Sequence, residues 1–600
     1  MNGRIGRPRL KMAIRVALAL TLLYTCGGAA ATAQQREGSR GRGAGAQRPR
    51  SRVAEGRGAW WRHAVFYEIY PRSFKDSDGD GVGDLGGITS KLDYLAGLGV
   101  DAVWITPFYP SPQVDFGYDV SDYEAVDPQF GTLADFDRLV REAHRRHIKV
   151  ICDFVINHTS DRHPFFKESR ASRDNPKRDW YVWRDPRPDG SPPNNWSSEF
   201  GPQAWTYDEK TKQYYYHFFY AEQPDLNWHN AGVSRAMFDS VRFWFRRGVD
   251  GFRVDAIDTL FEDPELRDNP LTDKPRRGSK TEYEQEHLYN VRRPENHDVF
   301  RRLRAVAAEF GPGRVLIGET YPPKVEDLLS YYGSRNDEFH MPFNFFLLKQ
   351  SKLDAAAFRS AVNSVEGALR GRPTNYVLSN HDNPRAFDKF GDGRHNDEIA
   401  KLLALMLLSL RGAPFFYYGE EIGMKTTPPE RLEDVRDPVG KVYWPAEKGR
   451  DGERTPMQWT GGRNAGFSTA AKTWLPVPPA AATRNVAAMA ADPDSVLSFY
   501  KKAIGLRRRS PALLEGDYAA VGEDPNVFAY RRRTPRQTLV VALNMSGERQ
   551  TLRLDEGAGG APAGGYRVVL SSLGARGQSP GGGPLDLAPY EGVVLEVSER

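Results

Sequence analysis

The chain has 600 residues, 40% hydrophobic and 12% aromatic, ample for a large core and more than one domain. Lysine and arginine number 83 against 78 acidic residues, a net charge of +5, but residues 1–59 carry twelve basic and two acidic side chains, so they contribute +10 and the remainder is −5. A mildly acidic body gives no support to nucleic acid as the main partner, and two cysteines, Cys26 and Cys152, exclude a disulfide framework.

At the start, Arg4, Arg7, Arg9, Lys11 and Arg15 precede the apolar run 16–24, and small residues lead to Ala31-Thr-Ala33. This is the pattern of a secretory signal peptide, residues 1–33, and implies export to the periplasm or outside the cell. An uncleaved anchor and a lipoprotein signal at Cys26 are the alternatives. The apolar run is short for a span, and Tyr24 is bulky where a small residue is expected before the cysteine. Residues 34–59 are rich in Arg and Gly without apolar periodicity and read as a disordered basic arm. Cleavage leaves Cys152 alone, inside the apolar run 149–155, as a buried small side chain. No second segment is long and apolar enough to cross a membrane.

From residue 64 to 423, short apolar strands alternate with amphipathic helical stretches. Strands are expected at 65–70, 102–106, 150–155, 251–256, 315–318, 339–343, 376–379 and 414–417, with helices at 88–98, 133–147, 233–247, 299–310 and 398–410. Eight such units predict an α/β fold, a closed (β/α)8 TIM barrel spanning 60–158 and 223–509. The interval 159–222 is too long for a loop and rich in Trp, Tyr, Pro and Asn, so it reads as a subdomain inserted after the third strand. After a helix at 495–508, strand-like runs at 527–531, 538–542, 566–570 and 593–597 predict a C-terminal all-β sandwich domain over 510–600.

The chemistry-bearing residues cluster at expected strand ends. In Gly248-Val-Asp-Gly-Phe-Arg-Val-Asp-Ala-Ile-Asp258, Phe252 and Val254 alternate with Arg253 and Asp255. The charged pair therefore looks into the barrel, where Arg253 is expected to keep Asp255 ionised, as a nucleophile requires. A structural ion pair is the alternative on this stretch alone. Glu319, ending the apolar strand 315–318, is expected to have a raised pKa suited to proton donation. Asp153-Phe-Val-Ile-Asn-His-Thr159 and Val377-Leu-Ser-Asn-His-Asp-Asn-Pro-Arg385 each end a strand with an Asn-His pair, and Asp382 adjoins His381. The histidines lack zinc spacing. Paired carboxyls of opposite protonation are the equipment of glycoside hydrolysis. Tyr118, Phe200, Phe219 and Trp228 are candidates to stack on sugar rings, or are ordinary packing. Asp76-Ser-Asp-Gly-Asp-Gly-Val-Gly-Asp84 sets carboxylates at alternate positions of a Gly-rich loop. Asp76, Asp78, Asp80 and Asp84, with the Val82 carbonyl, suit a structural Ca²⁺, or Mg²⁺ with more retained water.

The stretches 153–158, 251–255, Glu319 with its flanks and 380–382 resemble the four signature regions of glycoside hydrolase family 13, the α-amylase family. Gln223-Pro-Asp-Leu-Asn227 and Gly449-Arg-Asp-Gly-Glu-Arg-Thr-Pro-Met-Gln-Trp459 are similar to its oligo-1,6-glucosidase branch, and Ala64-Val-Phe-Tyr-Glu-Ile-Tyr-Pro-Arg-Ser-Phe-Lys-Asp76 resembles maltase-type α-glucosidases. The resemblance implies Asp255 as nucleophile, Glu319 as general acid/base and Asp382 as transition-state stabiliser. It further implies that Asp119, His158, Arg253, His381 and Arg385 hold the terminal glucose, with Tyr118 stacked beneath it. A retaining mechanism implies carboxyls about 5–5.5 Å apart. In this branch the residue after the nucleophile tracks linkage, and Ala256 favours α-1,4 over α-1,6. The expected activity is exo-hydrolysis of maltose and short malto-oligosaccharides. An oligo-1,6-glucosidase and a transglucosidase or isomerase such as trehalose synthase are the enzymic alternatives. A non-catalytic transporter ectodomain is disfavoured because all three acids are present.

Overall fold

The computed structural model describes residues 59–276, 282–554, 565–574 and 583–597, all within one compact unit. The expected signal peptide and nearly all of the expected basic arm lie outside the described residues. Among those residues no helix is long and apolar enough to cross a membrane.

The core is a parallel sheet of seven strands, Val315–Gly318, Gly251–Asp255, Lys149–Val155, Ala102–Ile105, Phe66–Ile69, Ala413–Tyr417 and Asn375–Tyr376, in that spatial order. The strands are buried on both faces because helices cover the outside and side chains fill the inside. Phe252 faces outward onto Phe154 and onto Phe245 of the helix Ala231–Arg246, while Arg253 faces in. At Gly251 the neighbouring strand approaches too closely for a side chain: a Cβ there would lie 2.4 Å from Val315. Capped helices wrap the sheet, as where Thr132 and Asp135 form a reciprocal capping box on Leu133–Arg145.

The eighth, sixth-in-sequence stave departs from the expectation of a strand at 339–343. The segment runs beside Val315–Gly318, with His340 N donating to Leu316 O at 3.0 Å and Phe343 N to Gly318 O at 2.8 Å. Pro342 has no N–H to offer a ladder on the other side. There the Asn375 side chain substitutes, its Oδ1 accepting from Asn344 N and its Nδ2 donating to Pro342 O, both at 3.0 Å. The result is a TIM barrel whose last seam is closed by a side-chain amide. The helix expected at 88–98 is two, Leu85–Ser90 and Leu92–Leu98, separated at Lys91.

The inserted subdomain forms a three-stranded antiparallel sheet of Trp183–Arg184, Gln213–Tyr216 and Trp205–Asp208 around its own aromatic core, including Trp196, Trp205 and Tyr216. A second excursion was not anticipated: after Gly251–Asp255 the chain leaves the barrel and makes a hairpin of Leu271–Pro275 with Tyr283–Gln285 before the helix Asn296–Ala308. The C-terminal domain is a five-stranded antiparallel sheet facing a two-stranded one, Gln550–Leu552 with Leu585–Leu587, around Val527, Val540, Leu587 and Leu595.

Candidate active site

The carboxyl ends of the barrel strands open into a cavity of about 630 Å³, lined by Tyr118, His158, Asp255, Glu319 and Asp382 and by groups from both excursions. Asp255 is the last residue of its strand. Glu319 follows the next strand directly, its N–H bonded to Val254 O at 2.8 Å. Asp382 sits in a turn beyond Asn375–Tyr376, where Asn380 Oδ1 accepts from Asp382 N at 3.0 Å.

Arg253 joins them. Its Nη1 donates to Asp255 Oδ1 at 2.5 Å and to Asp153 Oδ1 at 2.8 Å, and its Nη2 lies 2.7 Å from Glu319 Oε1. The Trp104 ring lies 5.2 Å from the guanidinium. One buried cation thus serves three carboxylates. The sequence reading expected Arg253 to hold Asp255 low, but burial pushes the Asp255 carboxyl up, and a cation divided among three acids does not cancel that. Burial likewise lifts Asp153 to about 6 against the opposing pull of Arg253. Such a cluster tends to retain a proton, as acid–base chemistry between neighbouring carboxyls requires.

Asp382 has the opposite environment. Its Oδ1 accepts from Arg454 Nη2 at 2.7 Å and Arg450 Nη1 at 3.1 Å, and its Oδ2 lies 3.1 Å from His381 Nε2. Against the upward push of burial, the charges of Arg450 and Arg454 hold its carboxyl well below the usual range. The buried His381 also lies 2.6 Å from Glu68 through Nδ1 and 2.7 Å from Tyr118 Oη through Nε2, with the two rings stacked 5.5 Å apart. His158 Nε2 lies 3.2 Å from Tyr118 O and 3.1 Å from Gln223 Nε2. Burial lowers both histidines to about 3, so both are neutral.

Of the five expected sugar-holding residues only His158 lines the cavity; Arg253 and His381 lie buried behind its wall against Asp255 and Asp382, and Asp119 and Arg385 are engaged elsewhere. Asp119 accepts from Ser111 Oγ and from Val114 and Asp115 N–H at 2.7–3.0 Å, and so fixes the turn that presents Asp115 and Tyr118. Arg385 donates to Tyr418 O at 2.7 Å and Glu453 O at 2.6 Å, its guanidinium over the Tyr417 and Tyr418 rings. In their places stand Asp115 and Arg450, paired at 2.7 Å and both on the cavity wall. Trp228 is core, donating to Ile156 O and packing on Phe238, whereas Phe200 and Phe219 line the cavity. Arg450 and Arg454 lay within the stretch 449–459 whose likeness to one branch was visible, but nothing in their spacing assigned them to Asp382.

Ala256 ends the strand's alternation. With φ 46° and ψ 44° it is left-handed, a conformation costing a residue with a Cβ about 1–2 kcal/mol. The turn brings Ala256 to the cavity wall, its N–H donating to Glu319 Oε2 at 3.1 Å.

In the Gly-rich loop, Asp76, Asp78 and Asp84 each offer one oxygen within 4.8 Å of the others. Asp84 also caps Leu85–Ser90 through Gly87 N, and Asp76 accepts from Gly79 and Gly81 N–H. Asp80 lies outside that trio and accepts from Val82 N. An all-oxygen, carboxylate-rich set fits a hard divalent cation.

This barrel and acid constellation define a glycoside hydrolase, and comparison with known proteins gives the family. The model of the alpha-amylase catalytic domain matches residues 68–516, and the chain belongs to the α-amylase family, in its α-glucosidase and oligo-1,6-glucosidase branch. It is 45% identical to a probable alpha-glucosidase of Rhizobium meliloti over 84% of this chain and 92% of that protein. It is 40% identical to an oligo-1,6-glucosidase of Parageobacillus thermoglucosidasius, over 83% and 92% respectively. Among solved structures, the alpha-glucosyl transfer enzyme XgtA superposes with a TM-score of 0.83 at 42% identity, covering 90% of this chain and 99% of that one.

Proposed function

We propose that this glycoside hydrolase is a retaining, exo-acting α-glucosidase that releases terminal α-1,4-linked glucose from maltose and short malto-oligosaccharides. The observation that carries the reading is the sharing of one guanidinium by Asp255 and Glu319 at adjacent strand ends, which keeps the two carboxyls within reach of one glycosidic bond. Asp255 attacks the anomeric carbon as Glu319 protonates the leaving oxygen. Glu319 then takes a proton from water, which cleaves the glucosyl ester with net retention. Asp382, held ionised by Arg450 and Arg454, accepts hydrogen bonds from sugar hydroxyls, and Tyr118 supplies an apolar face for the ring. Neutral His158 and His381 are suited to hydroxyl contacts without adding charge. The small Ala256 at the wall supports α-1,4 over α-1,6 linkage.

The likeness to an α-glucosyl transfer enzyme supports a second reading, in which a sugar rather than water receives the glucosyl group. Product analysis on maltose separates them: hydrolysis yields glucose alone, whereas transfer yields longer or rearranged saccharides. Asp255→Asn is expected to lower glucose release at least about 10³-fold with the fold intact, as removal of a nucleophile does. Unchanged activity would exclude the assignment, and isomaltose cleaved faster than maltose would exclude the linkage.

Two accessory features complete the reading. Asp76, Asp78 and Asp84, with Asp80 and the Val82 carbonyl on the same loop, would hold a structural Ca²⁺, or Mg²⁺. The basic, then apolar, then small-residue leader supports export from the cytoplasm.

A further inference from the structure

Glu68 stands in the strand Phe66–Ile69 and shares the inward face of the barrel with Phe66, 2% exposed. Its Oε1 lies 2.6 Å from His381 Nδ1 and accepts from the His381 main-chain N–H at 3.3 Å. That imidazole is its only ion-pair contact among the described residues. The imidazole itself has both edges occupied. The Tyr118 and Tyr70 rings lie nearly parallel to it, with centroids 5.5 and 5.9 Å away, and Arg454 Nε donates to the His381 main-chain O at 2.8 Å. Nε2 then faces Asp382 Oδ2 at 3.1 Å and Tyr118 Oη at 2.7 Å.

A neutral imidazole has one N–H, and its partners decide which nitrogen carries it. Were it Nδ1, the Nε2 lone pair would point at Asp382 Oδ2, on a carboxylate that Arg450 and Arg454 keep ionised and that can only accept. With the N–H on Nε2, every contact pairs a donor with an acceptor. Nε2–H reaches Asp382 Oδ2 and Tyr118 Oη, Tyr118 O–H passes on to Asp153 Oδ2 at 3.1 Å, and Nδ1 accepts. The donor to Nδ1 is then Glu68, and a carboxyl donates only when protonated.

The surroundings favour that acid form. Asp382 and Asp153 are the negative charges facing Glu68, and Tyr417 flanks it on the neighbouring strand. The cation that reaches it, Arg253, is already divided among Asp153, Asp255 and Glu319. Burial, with the Asp382 charge adding to it, raises the Glu68 carboxyl well above its ordinary range.

We propose that Glu68 sets the tautomer of His381: as a carboxylic acid it donates to Nδ1, which leaves the imidazole N–H on Nε2 and aims it at Asp382 Oδ2. Glu68 is thereby a positioning residue for Asp382. That role rests on Asp382 being the transition-state stabiliser of the α-glucosidase reading.

The experiment compares wild type, Glu68→Gln and Glu68→Met, each with and without Asp382→Asn, by kcat and KM on an aryl α-glucoside and by Tm. Gln offers Nδ1 an amide N–H, whereas Met fills the space with no donor. Glu68→Met is expected to lower kcat at least about tenfold with KM changed less than about threefold, as loss of a partner that orients a functional histidine does. Glu68→Gln is expected to bring kcat back to within about threefold of wild type. In the Asp382→Asn background the Met substitution costs less than about threefold, because no carboxylate is left to be held. Glu68→Gln falling as far as Glu68→Met overturns the proposal, since Glu68 would then act as an anion on an imidazolium. So does Glu68→Met with wild-type kcat, or a loss that persists undiminished beside Asp382→Asn. If Glu68→Met does not fold, Glu68→Gln decides alone, and a loss beyond about threefold overturns the tautomer role. Wild-type kcat in Asp382→Asn by itself overturns the reading of the site, whatever Glu68 does.

Discussion

Arg450 can face Asp382 and Asp115 at once because Asp437 fixes the rest of its side chain. The buried Asp437 accepts from Arg450 N at 2.6 Å, from Nε at 3.0 Å and from Nη2 at 2.9 Å. Burial opposes ionisation there, but Arg450 and Arg454 hold the Asp437 carboxyl down to about 2. Asp437→Asn keeps the shape and removes the charge, and a charge-assisted hydrogen bond is worth about 1.5–3 kcal/mol. A fall of roughly tenfold or more in kcat/KM is expected, carried mainly by kcat because Asp382 loses its register, with little change in Tm. Kinetics on maltose with a parallel melting curve check this, and an unchanged kcat/KM would remove the positioning role. At this scale the sequence was a partial guide. Asp255, Glu319, Asp382 and His158 reach the cavity because each stands at, or a few residues beyond, a strand end that apolar runs make visible, whereas Tyr118 reaches it from the long loop after Ala102–Ile105. Asp119 and Asp115 lie in one turn, and Arg385 donates to the carbonyl of Glu453, three residues from Arg450, so residue type alone does not say which carboxylate or guanidinium is consumed by backbone partners.

Among the elements, the Asp76–Asp84 loop gathers carboxylates at close range. Its carboxylates are turned into the loop, where they accept from the loop's own N–H groups, and three of them converge. A cation at a hundredfold its Kd would stabilise the folded state by about 2.7 kcal/mol. Chelation is therefore expected to lower Tm by a few degrees, Ca²⁺ to restore it, and Asp78→Ala to abolish the response. A Tm indifferent to chelator and added Ca²⁺ would refute the ion. Several apolar strands were legible, 315–318 to the residue and 102–106 and 251–256 within one, whereas the expected strand 376–379 is laddered only at Asn375–Tyr376. The hairpin Leu271–Pro275 with Tyr283–Gln285 was not, because its residues are mostly exposed and polar and carry no alternation.

Across the whole molecule, buried ionisable groups set how stability follows pH. Burial lowers His63, His163 and His217 to about 4, His158 and His381 to about 3, and His340 well below its ordinary value. An unfolded chain takes up these protons below pH 6.5 and the fold refuses them, so this contribution is complete above 6.5 and is lost as pH falls. Burial acts oppositely on carboxyls, raising Asp119 and Asp153 to about 6, Glu420 to about 7 and Glu262 and Glu453 to about 8. Their contribution is complete at acid pH below the unfolded carboxyl range and is lost as pH rises through 6–8. The two sets offset between about pH 4.5 and 6.5 and act alone on either side, so Tm is expected to plateau there and fall in both directions. Thermal unfolding from pH 3 to 9 tests this, and a Tm still rising at pH 9 would contradict it.

The amide-closed seam at Asn375 has a mechanical meaning. Around the barrel, most neighbouring strands share a main-chain ladder, but the stave at 339–344 grips Asn375 through one side chain. Glu319 rises from the strand on one side of that stave and Asp382 follows the strand on the other. The span between Glu319 and Asp382 thus crosses a seam held by side-chain amide bonds, whereas Asp255 and Glu319 stand on strands laddered together through the main chain.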